Sequence, residues 1–472
     1  MEMEKEMSES DDVGIDIPSK LLVNDNDGIV KEWERCLRGK EITQPLQRHR
    51  RIDKLPPLLI KGEKGRRNQQ YYEPAVVSLG PYHHDRPDLA QAEKYKLITL
   101  KEFSFSIGRK IDYLYNKVFE VVHEARKCYI DGSTDRFSDA DFNRMMLRDA
   151  CFVLFFIECT SLATKKILLN NEYLGAFGFA NVVSDIFLLE NQIPFVVLEV
   201  LLDLRFDDKG EQILNEFFIY LTYGEVNWID DQKVLDKDDQ KPLHLLELYR
   251  SHFIRLSISF GFSSSIPGRW RGRTKKTDAA EDYNYVKRVN RSLVSVMELK
   301  AKGIFVKRSD DKSNEDIKFH SRCCYGELEL VRRAVTPNSK AIYLNMIAYE
   351  MCPHNPNDFR VSTYIGVMKS LIVHADDVKE LRNGGILVHT LGRDEEVVKM
   401  YDEIVVPATN LYMYQLGQGI EKHCTNKYNM WAAELITVYF SSPWKTVALL
   451  VASAILFASF LQTYFTIRPI SK

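Results

Sequence analysis

The sequence predicts a mainly α-helical protein: a multi-helix globular domain with a small β-hairpin element and one C-terminal transmembrane helix. Two observations predict the helices, since apolar residues recur at helical spacings and long stretches are apolar on nearly every side. A third observation predicts the transmembrane helix, called the span below, because the 22 residues that begin at Thr446 and end at Ile467 contain no charged side chain. As a helix they cover about 33 Å, enough to cross the hydrocarbon core of a bilayer.

The composition is that of a globular domain. Of 472 residues, 45% are hydrophobic and 28% are charged, a balance that can support a large core. The formal net charge of -2 gives no general attraction to nucleic acid. We expect five regions: a disordered acidic head (1–28), a mainly helical domain (29–430), a juxtamembrane segment (431–445), the span (446–467) and a short tail (468–472).

The flanks of the apolar run favour a membrane span over a buried core helix. Trp444 and Lys445 precede it, and Tyr464, Phe465 and Arg468 close it, so amphipathic rings and long cations lie at both headgroup levels. The acidic N-terminal residues contain no apolar run of the kind that a secretory signal peptide needs. We therefore expect a single-pass protein of the plasma membrane or the endoplasmic reticulum. Its bulk should be cytosolic, and its span should insert after translation.

Three apolar patterns predict helices in the first half of the domain. Apolar residues from Leu97 to Val121 recur every three, four or seven positions, which indicates one amphipathic, core-facing helix. The stretches 141–169 and 182–204 are apolar on almost all sides, but each carries several charged residues. Because such charges are costly at a bilayer centre, we expect buried helices of the soluble domain. Pro194 should end or kink the second of them.

The second half predicts short strands between helices. Gly303 fits the left-handed position just past a helix over 285–300. Three short β-like runs follow, and hairpin pairing among them would form the small β element. These runs lie at 303–308, 316–321 and 326–333. Helices are expected again from Ala341 onward, with the last helix of the domain near 394–415.

The cysteines point to no structural metal. All eight are scattered along the chain, and none forms the C-x-x-C pair that structural zinc sites use. In a reducing cytosol we expect free thiols. One N-glycosylation sequon begins at Asn290, and it matters only if this part of the chain faces a lumen.

His83, His84 and Asp85 form the densest cluster of groups that could transfer protons or bind a metal, directly after a Gly-Pro turn. Adjacent side chains rarely face one metal, and no companion constellation can be named. Tyr82 should pack, and the imidazoles should bond nearby backbone. Hydrolase, metalloprotease, phosphate-loop, dinucleotide and kinase motifs are absent from the sequence. We therefore predict no catalytic, cofactor-binding or metal-binding residue.

Two further segments have a simpler structural interpretation. Asp376 and Asp377 follow His374, and acidic residues at that point fit the start of a helix. The basic run at 269–273 contains one Trp and could stack on single-stranded nucleic acid. It is one short loop without a companion basic stripe, so we expect a solvated loop.

Residues 188–194 read LLENQIP, and we predict that this run is architectural. Its apolar members should be buried. Asn191 and Gln192 should hydrogen-bond backbone groups that are left open near Pro194, because a proline interrupts helical bonding.

Four segments carry a family resemblance. They read PAVVSLGPYHHD at 74–85, RDACFVLFFIE at 148–158, DIFLLENQIPFVVLEVL at 185–201 and YFSSPWKTVA at 439–448. In these segments the chain resembles the plant family named domain of unknown function 247. Ala150 and Phe155 depart from the Gly and Glu that are usual there, and His389-Thr390 replaces a usual Asn.

The resemblance implies a mainly helical, plant-specific, membrane-anchored protein with no catalytic residues to carry over, and it suggests recognition rather than chemistry. Our leading hypothesis is a non-enzymatic protein that acts through protein–protein recognition or signalling, with unidentified partners. The rival hypothesis is an enzyme whose site lies between Gly80 and Asp85, or beside Glu190-Asn191-Gln192. Titratable groups that converge in one deep pocket would favour the enzyme, and an exposed apolar or charged patch would favour the binding module.

The span itself carries a stripe of small side chains that allows close helix approach. The stripe consists of Ala448, Ala452, Ser459 and Thr463. We expect weak association of the span with itself or with a partner span. The alternative is a passive tether.

Overall fold

The computed structural model describes residues 50–160, 175–224, 241–255, 293–309, 317–322, 325–355, 357–426, 428–429, 431 and 443–467. All of these belong to one compact unit, Arg50–Lys472. Several predicted features lie outside the described residues: the acidic head 1–28, the basic run 269–273, the sequon at Asn290 and the tail 468–472. Parts of two predicted helices, 161–169 and 285–292, also lie outside them.

A long buried helix organises the first half. Its neighbours are α-helices, and the described residues between them include the 3-10 segments Pro57–Ile60, Gln69–Tyr71, Pro87–Leu89 and Asp207–Lys209. The helices are α1 (Gly62–Asn68), α2 (Ala90–Ser106), α3 (Ile111–Phe119), α4 (Val122–Lys127), α5 (Asp139–Thr160), α6 (Gly175–Ile186), α7 (Phe195–Phe206), α8 (Gly210–Tyr223) and α9 (Leu245–Arg255). Helix α5 is the centre, because α2, α3, α4, α7 and α8 all pack against it.

The single helix predicted from Leu97 to Val121 is wrong. The chain forms α2 and α3 there, and the turn between them contains Gly108 at φ +62°. Glycine adopts this left-handed conformation without the cost that other residues meet. Leu97 on α2 and Ile111 on α3 are 53% and 43% exposed instead of core-facing, whereas Leu100, Leu114 and Val118 are buried.

Two small sheets separate the helices of the second half. The helices are α10 (Val296–Ala301), α11 (Ser339–Glu350), α12 (Arg360–Leu371), α13 (Ala375–Asn383), α14 (Asp394–Glu403), α15 (Leu411–Thr425) and α16 (Pro443–Ile467). The strands are β1 (Ile304–Arg308), β2 (Ile317–Ser321), β3 (Gly326–Leu330), β4 (Arg333–Val335) and β5 (Leu387–His389). All twelve residues of α11 are buried, which places this helix inside the core.

The predicted hairpin is confirmed, and a parallel strand joins it. Strands β2 and β3 pair antiparallel, from Ile317 opposite Leu330 to Ser321 opposite Gly326. Strand β1 adds to the other side of β3 in parallel, and β4 pairs β5 in parallel. Gly303 has φ +76° just past α10, as predicted, and Ile304 after it is fully buried.

The helix predicted near 394–415 is two helices, α14 and α15. The connecting residues 404–410 are not helical, and they contain Pro407, which cannot donate a helical backbone bond. Asn410 then starts α15, since its side chain accepts from the Tyr412 N–H at 3.1 Å.

Helix α16 differs from every element of the core. Its 25 residues extend for about 38 Å, and its stretch Trp444–Tyr464 is apolar and long enough to cross a membrane. None of that stretch is buried against the described part of the protein.

Candidate functional site

The two segments that sequence reasoning selected as rival enzyme sites lie against each other. The Leu79 N–H donates to Asn191 Oδ1 at 2.6 Å, and the Tyr129 hydroxyl donates to the Gln192 carbonyl at 2.9 Å. Gly80 has φ +68°, and a Cβ there would lie 2.6 Å from the Gln192 oxygen. Only glycine allows this approach of the two backbones. The turn 80–85 and the loop 188–194 therefore form one structural unit.

Gln192 and Asn191 satisfy backbone groups, as predicted. The Gln192 amide donates to the Ile186 and Leu188 carbonyls, both at 2.7 Å, and its oxygen accepts from the Leu246 N–H at 3.1 Å. These carbonyls end α6 and the N–H begins α9, so one side chain caps two helices. Asn191 donates to the carbonyl of Val77 at 3.0 Å.

Asp185 holds residues 75–77, which lie shortly before the turn. Its carboxylate accepts from three successive backbone N–H groups, those of Ala75 at 2.9 Å, Val76 at 2.7 Å and Val77 at 2.9 Å. Burial raises the pKa of Asp185 to about 6, although the three hydrogen bonds favour the charged form. The segment 75–77 is thus fixed by a buried carboxylate.

A network of charged side chains, most of them buried, fixes the position of the turn 80–85. Lys96 Nζ lies 2.7 Å from Asp149 Oδ1 and 2.5 Å from Glu93 Oε1, and it donates to the Ser78 carbonyl at 2.6 Å. Asp149 Oδ2 accepts from the Gly80 N–H at 2.8 Å. Lys96 and Asp149 are completely buried, and burial raises the pKa of the Asp149 carboxyl against the opposing effect of Lys96. Each charge in this network serves the position of the turn.

His83 and Glu190 face each other at the surface end of the unit. His83 Nε2 lies 3.8 Å from Glu190 Oε2, which is beyond a hydrogen bond, and burial lowers the pKa of His83. The other oxygen of Glu190 accepts from the Leu55 N–H at 2.7 Å. The His83 imidazole is neutral, and the Glu190 carboxylate already accepts a backbone hydrogen bond. The two side chains therefore make a weak contact rather than a tight ion pair.

A third segment joins this surface, and sequence reasoning missed it. Asp53 is buried, and its Oδ1 lies 2.7 Å from Nδ1 of His354, a residue 301 positions away along the chain. His354 is about one-third exposed. A carboxylate that orients an imidazole is an arrangement used for proton transfer. Within the described residues, however, no serine, threonine or cysteine hydrogen-bonds to His354 Nε2.

A groove of about 590 Å³ opens on the far side of the turn. Helices α2, α3 and α5 line it together with His84, whose ring meets Phe137 edge to face at 5.5 Å. The exposed Leu97 and Ile111 lie on its walls. Asp112 at the start of α3 also lines it, and no cation pairs with that carboxylate in the described part of the chain. The groove therefore combines apolar walls with charges of both signs. Arg144 and Arg148 also line it and pair with Asp141 and Glu93, whereas Asp112 has no such partner among the described residues.

The second sequence cluster begins a helix, as predicted. His374 precedes α13, and Asp377 accepts from the His374 N–H at 2.8 Å and the Met297 N–H at 2.9 Å. Asp377 is completely buried and joins the starts of α10 and α13. Among the described residues, no group of three or more His, Cys, Asp or Glu side chains could hold a metal ion. The described cysteines are free thiols: Cys128, Cys151, Cys159, Cys352 and Cys424.

A family model described as "Plant protein of unknown function", DUF247, matches residues 57–458. This chain belongs to the DUF247 family. Its relatives include the UPF0481 protein At3g47200 of Arabidopsis thaliana, 24% identical over 80% of this chain and 79% of the relative. The Putative UPF0481 protein At3g02645 of the same plant is 22% identical over 83% of this chain and 86% of the relative. No solved structure matches the chain.

The family match includes the turn, the loop 188–194 and the groove, but it begins after Asp53. Sequence reasoning located the turn and the loop from their composition. It missed the Asp53–His354 and Lys96–Asp149 contacts, because local spacing carries no signal for residues that meet only in the fold. For the Lys96–Asp149 pair the sequence carried one weak signal, the Asp149 carboxylate within a largely apolar helix.

Proposed function

We propose that this DUF247 protein is a single-pass membrane protein whose body acts through contacts with other proteins. The observation that carries the proposal is α16, whose apolar stretch is exposed throughout. Its hydroxyls bond its own preceding turn, Ser453 to the Leu449 carbonyl at 2.8 Å and Thr463 to the Ser459 carbonyl at 2.9 Å. A helix that satisfies its polar groups internally suits a lipid environment, where water cannot do so.

A cytosolic position of the body, at the plasma membrane or the endoplasmic reticulum, is part of the same proposal. Alkaline extraction of membranes should leave the full chain in the pellet and release a variant without residues 444–464. Protease added to intact microsomes should digest the body. Release of the full chain by alkali would contradict the anchor. Protection of the body, or glycosylation of Asn290, would contradict only the orientation.

The use of charged groups supports recognition over catalysis. Asp149, Asp185 and Asp377 each bind backbone N–H groups, so they serve the fold. The open groove offers apolar walls beside the carboxylate of Asp112, unpaired within the described residues, while its two arginines, Arg144 and Arg148, already pair with Asp141 and Glu93. This arrangement suits a protein segment with an apolar face and a Lys or Arg that reaches Asp112. We propose this groove as the recognition surface.

The recognition surface can be tested by proximity labelling in the native membrane. Leu97→Asp should remove a specific set of neighbours, because it puts a charge on the apolar wall. Leu58→Asp is the matched control, since Leu58 is exposed and lies outside the groove. A variant without the anchor serves as a second control. Neighbours that it loses but that Leu97→Asp keeps depend only on the membrane. Identical neighbour sets for Leu97→Asp and wild type would exclude the groove as the contact surface.

The Asp53–His354 pair favours an enzyme as the second candidate, because a buried carboxylate orients an imidazole whose side chain is about one-third exposed. The full chain should be screened against ester, peptide and phosphoester substrates, with His354→Gln as the comparison. Turnover that disappears in a normally folded His354→Gln protein would support catalysis. Equal signals in the two proteins would remove this candidate.

A further inference from the structure

The structure carries an exposed aromatic pair shortly before α16. Tyr428 is 75% exposed and Trp431 is 62% exposed, and their ring centroids lie 6.2 Å apart in an edge-to-face arrangement. Two large rings that contact each other and also face solvent are costly in water. Tyrosine and tryptophan in this state are typical of the headgroup zone of a bilayer.

The pair is attached to the body of the protein. Asn429, between the two rings in sequence, is buried, and its amide nitrogen lies 3.2 Å from the His423 carbonyl and 3.1 Å from His423 Nδ1. Ser321 Oγ of strand β2 lies 2.7 Å from the same imidazole nitrogen. Phe319 of β2 meets the His423 ring edge to face at 5.8 Å. The position of the aromatic pair is therefore set by α15 and β2.

The chain length and the neighbouring charges fit a lipid surface. Trp444, at the start of α16, follows Trp431 by 13 positions, a distance of about 45 Å at most if fully extended. Lys422 in the last turn of α15 and Lys302 after α10 are exposed. Exposed cations suit the phosphates of lipid headgroups, and exposed aromatic rings suit the interfacial depth of those headgroups. Lys302 and Glu421 both act electrostatically on Cys424, so the Glu421 carboxylate offsets part of the positive charge there.

We propose that Tyr428 and Trp431 insert into the headgroup zone of the membrane that holds α16. This contact, with the neighbouring ends of α15 and β2, would orient the body on the bilayer surface. The inference rests on the anchor proposed above. It assigns a lipid surface as the partner of this patch, separate from the protein-binding groove.

Tryptophan quenching in phosphatidylcholine vesicles tests the contact. Two variants of the full chain keep only Trp431 or only Trp444, with Phe at the other tryptophan positions. A third carries only a new tryptophan, Leu58→Trp, at an exposed position elsewhere. Lipids labelled at the headgroup, or brominated near the top of the acyl chain, should quench Trp431 about twofold, as interfacial rings require, and leave the third variant unchanged. Lipids brominated deep in the chain should quench Trp431 less.

The outcomes separate this inference from the anchor. If Trp444 is quenched and Trp431 behaves like the Leu58→Trp control, the aromatic pair does not touch lipid and the inference is overturned. If Trp444 is not quenched either, the anchor fails and the inference fails with it. Should a multiple variant fold poorly, the wild-type chain and Trp431→Phe alone give the same comparison. The inference then requires that Trp431→Phe reduce the quenched fraction.

Discussion

Two apolar helices of similar length, α5 with 22 residues and α16 with 25, lie in opposite surroundings. Two acidic groups of α5 meet cations from other elements: Asp149 meets Lys96 of α2, and Glu158 meets Arg205 Nε of α7 at 3.0 Å. In α16, by contrast, the hydroxyls of Ser453, Thr463 and Thr466 donate to carbonyls of their own helix. The comparison teaches that the apolar content of a helix does not decide whether it lies in the core or in lipid. What decides is whether its polar groups find partners on other elements or within the helix itself.

The largest expected effect on stability comes from removing the buried cation that pairs with Asp149 of α5. Lys96→Met leaves the Asp149 charge buried without its cation, so the free energy of unfolding should fall by about 3–5 kcal/mol. Chemical denaturation of the full chain in detergent measures it. Because burial already raises the pKa of Asp149, that carboxyl should take up a proton in the variant, and the deficit should shrink at lower pH.

Lys117→Met is the matched control for that prediction. Lys117 also pairs with a carboxylate, that of Glu120 at 2.9 Å, but both groups are exposed to water. Its stability should equal that of wild type within error. Equal losses in the two variants would show that burial of the α5 charge has no special role.

The reverse experiment places a charge on α16. Leu456→Lys should cost about 2.5–3.5 kcal/mol of membrane insertion, because Leu456 is near the middle of the apolar stretch. The fraction of chain that resists alkaline extraction measures this loss. Val447→Lys near the helix start should cost less, since its ammonium can reach the headgroups. If both variants remain fully in the membrane, α16 does not span it.

The sequence predicted both helices of this comparison because each signal is local. The charges of α5 and the uncharged run of α16 can be read without knowledge of the fold. The left-handed Gly303 is a local signal of the same kind. The expectation that Pro194 ends or kinks one helix over 182–204 is wrong: α6 ends earlier, at Ile186, and Pro194 directly precedes α7. The break at Gly108 was missed because the apolar spacing continues across it. The break at Pro407 was missed because helical patterns flank it on both sides.

The candidate site was predictable only in part, for the same reason. The turn 80–85 and the loop 188–194 stand out by composition, but nothing in either segment indicates that they touch. The partner of Asp53 lies 301 positions away, at His354. The parallel pairing of β1 with β3 likewise depends on tertiary packing rather than on any turn sequence.

A buried histidine should make the body sensitive to acid. His244 precedes α9, its Nδ1 accepts from the Glu247 N–H at 3.2 Å, and burial lowers its pKa to about 4. The unfolded chain takes up this proton near pH 6.5, so stability is complete above that pH and is lost as pH falls toward 4. Between pH 7 and pH 5 the loss should be about 2 kcal/mol.

His244→Asn isolates that contribution. Asparagine can accept the same helix-starting N–H but does not titrate, so the variant should lose less stability over this range. The comparison is needed because Asp185 acts in the opposite direction. Its pKa is raised to about 6, so its proton uptake adds stability as pH falls below 6. Parallel pH profiles for the two proteins would contradict the assignment to His244. Acid should not release α16 from the membrane, since residues 446–467 carry no charged side chain.

Gln192→Leu should have a smaller effect on the body. It leaves the Ile186 and Leu188 carbonyls and the Leu246 N–H without their bonds, which should lower the free energy of unfolding by about 1–2 kcal/mol. Gln212→Leu, at an exposed position of α8, is the control and should change little. A variant that melts normally but loses a measurable activity would make the loop 188–194 a functional site instead.

The smallest effect concerns contacts between spans. Ala452 and Ser459 lie on the small-residue stripe of α16, and close approach along such a stripe contributes about 1 kcal/mol or less to helix association. A reporter of span association in membranes should lose signal with Ala452→Leu and Ser459→Leu, because the larger side chains separate the backbones. Leu450→Ala, on another face, should keep the signal. If all three variants match wild type, the span is a passive tether, and any oligomer must form through the body.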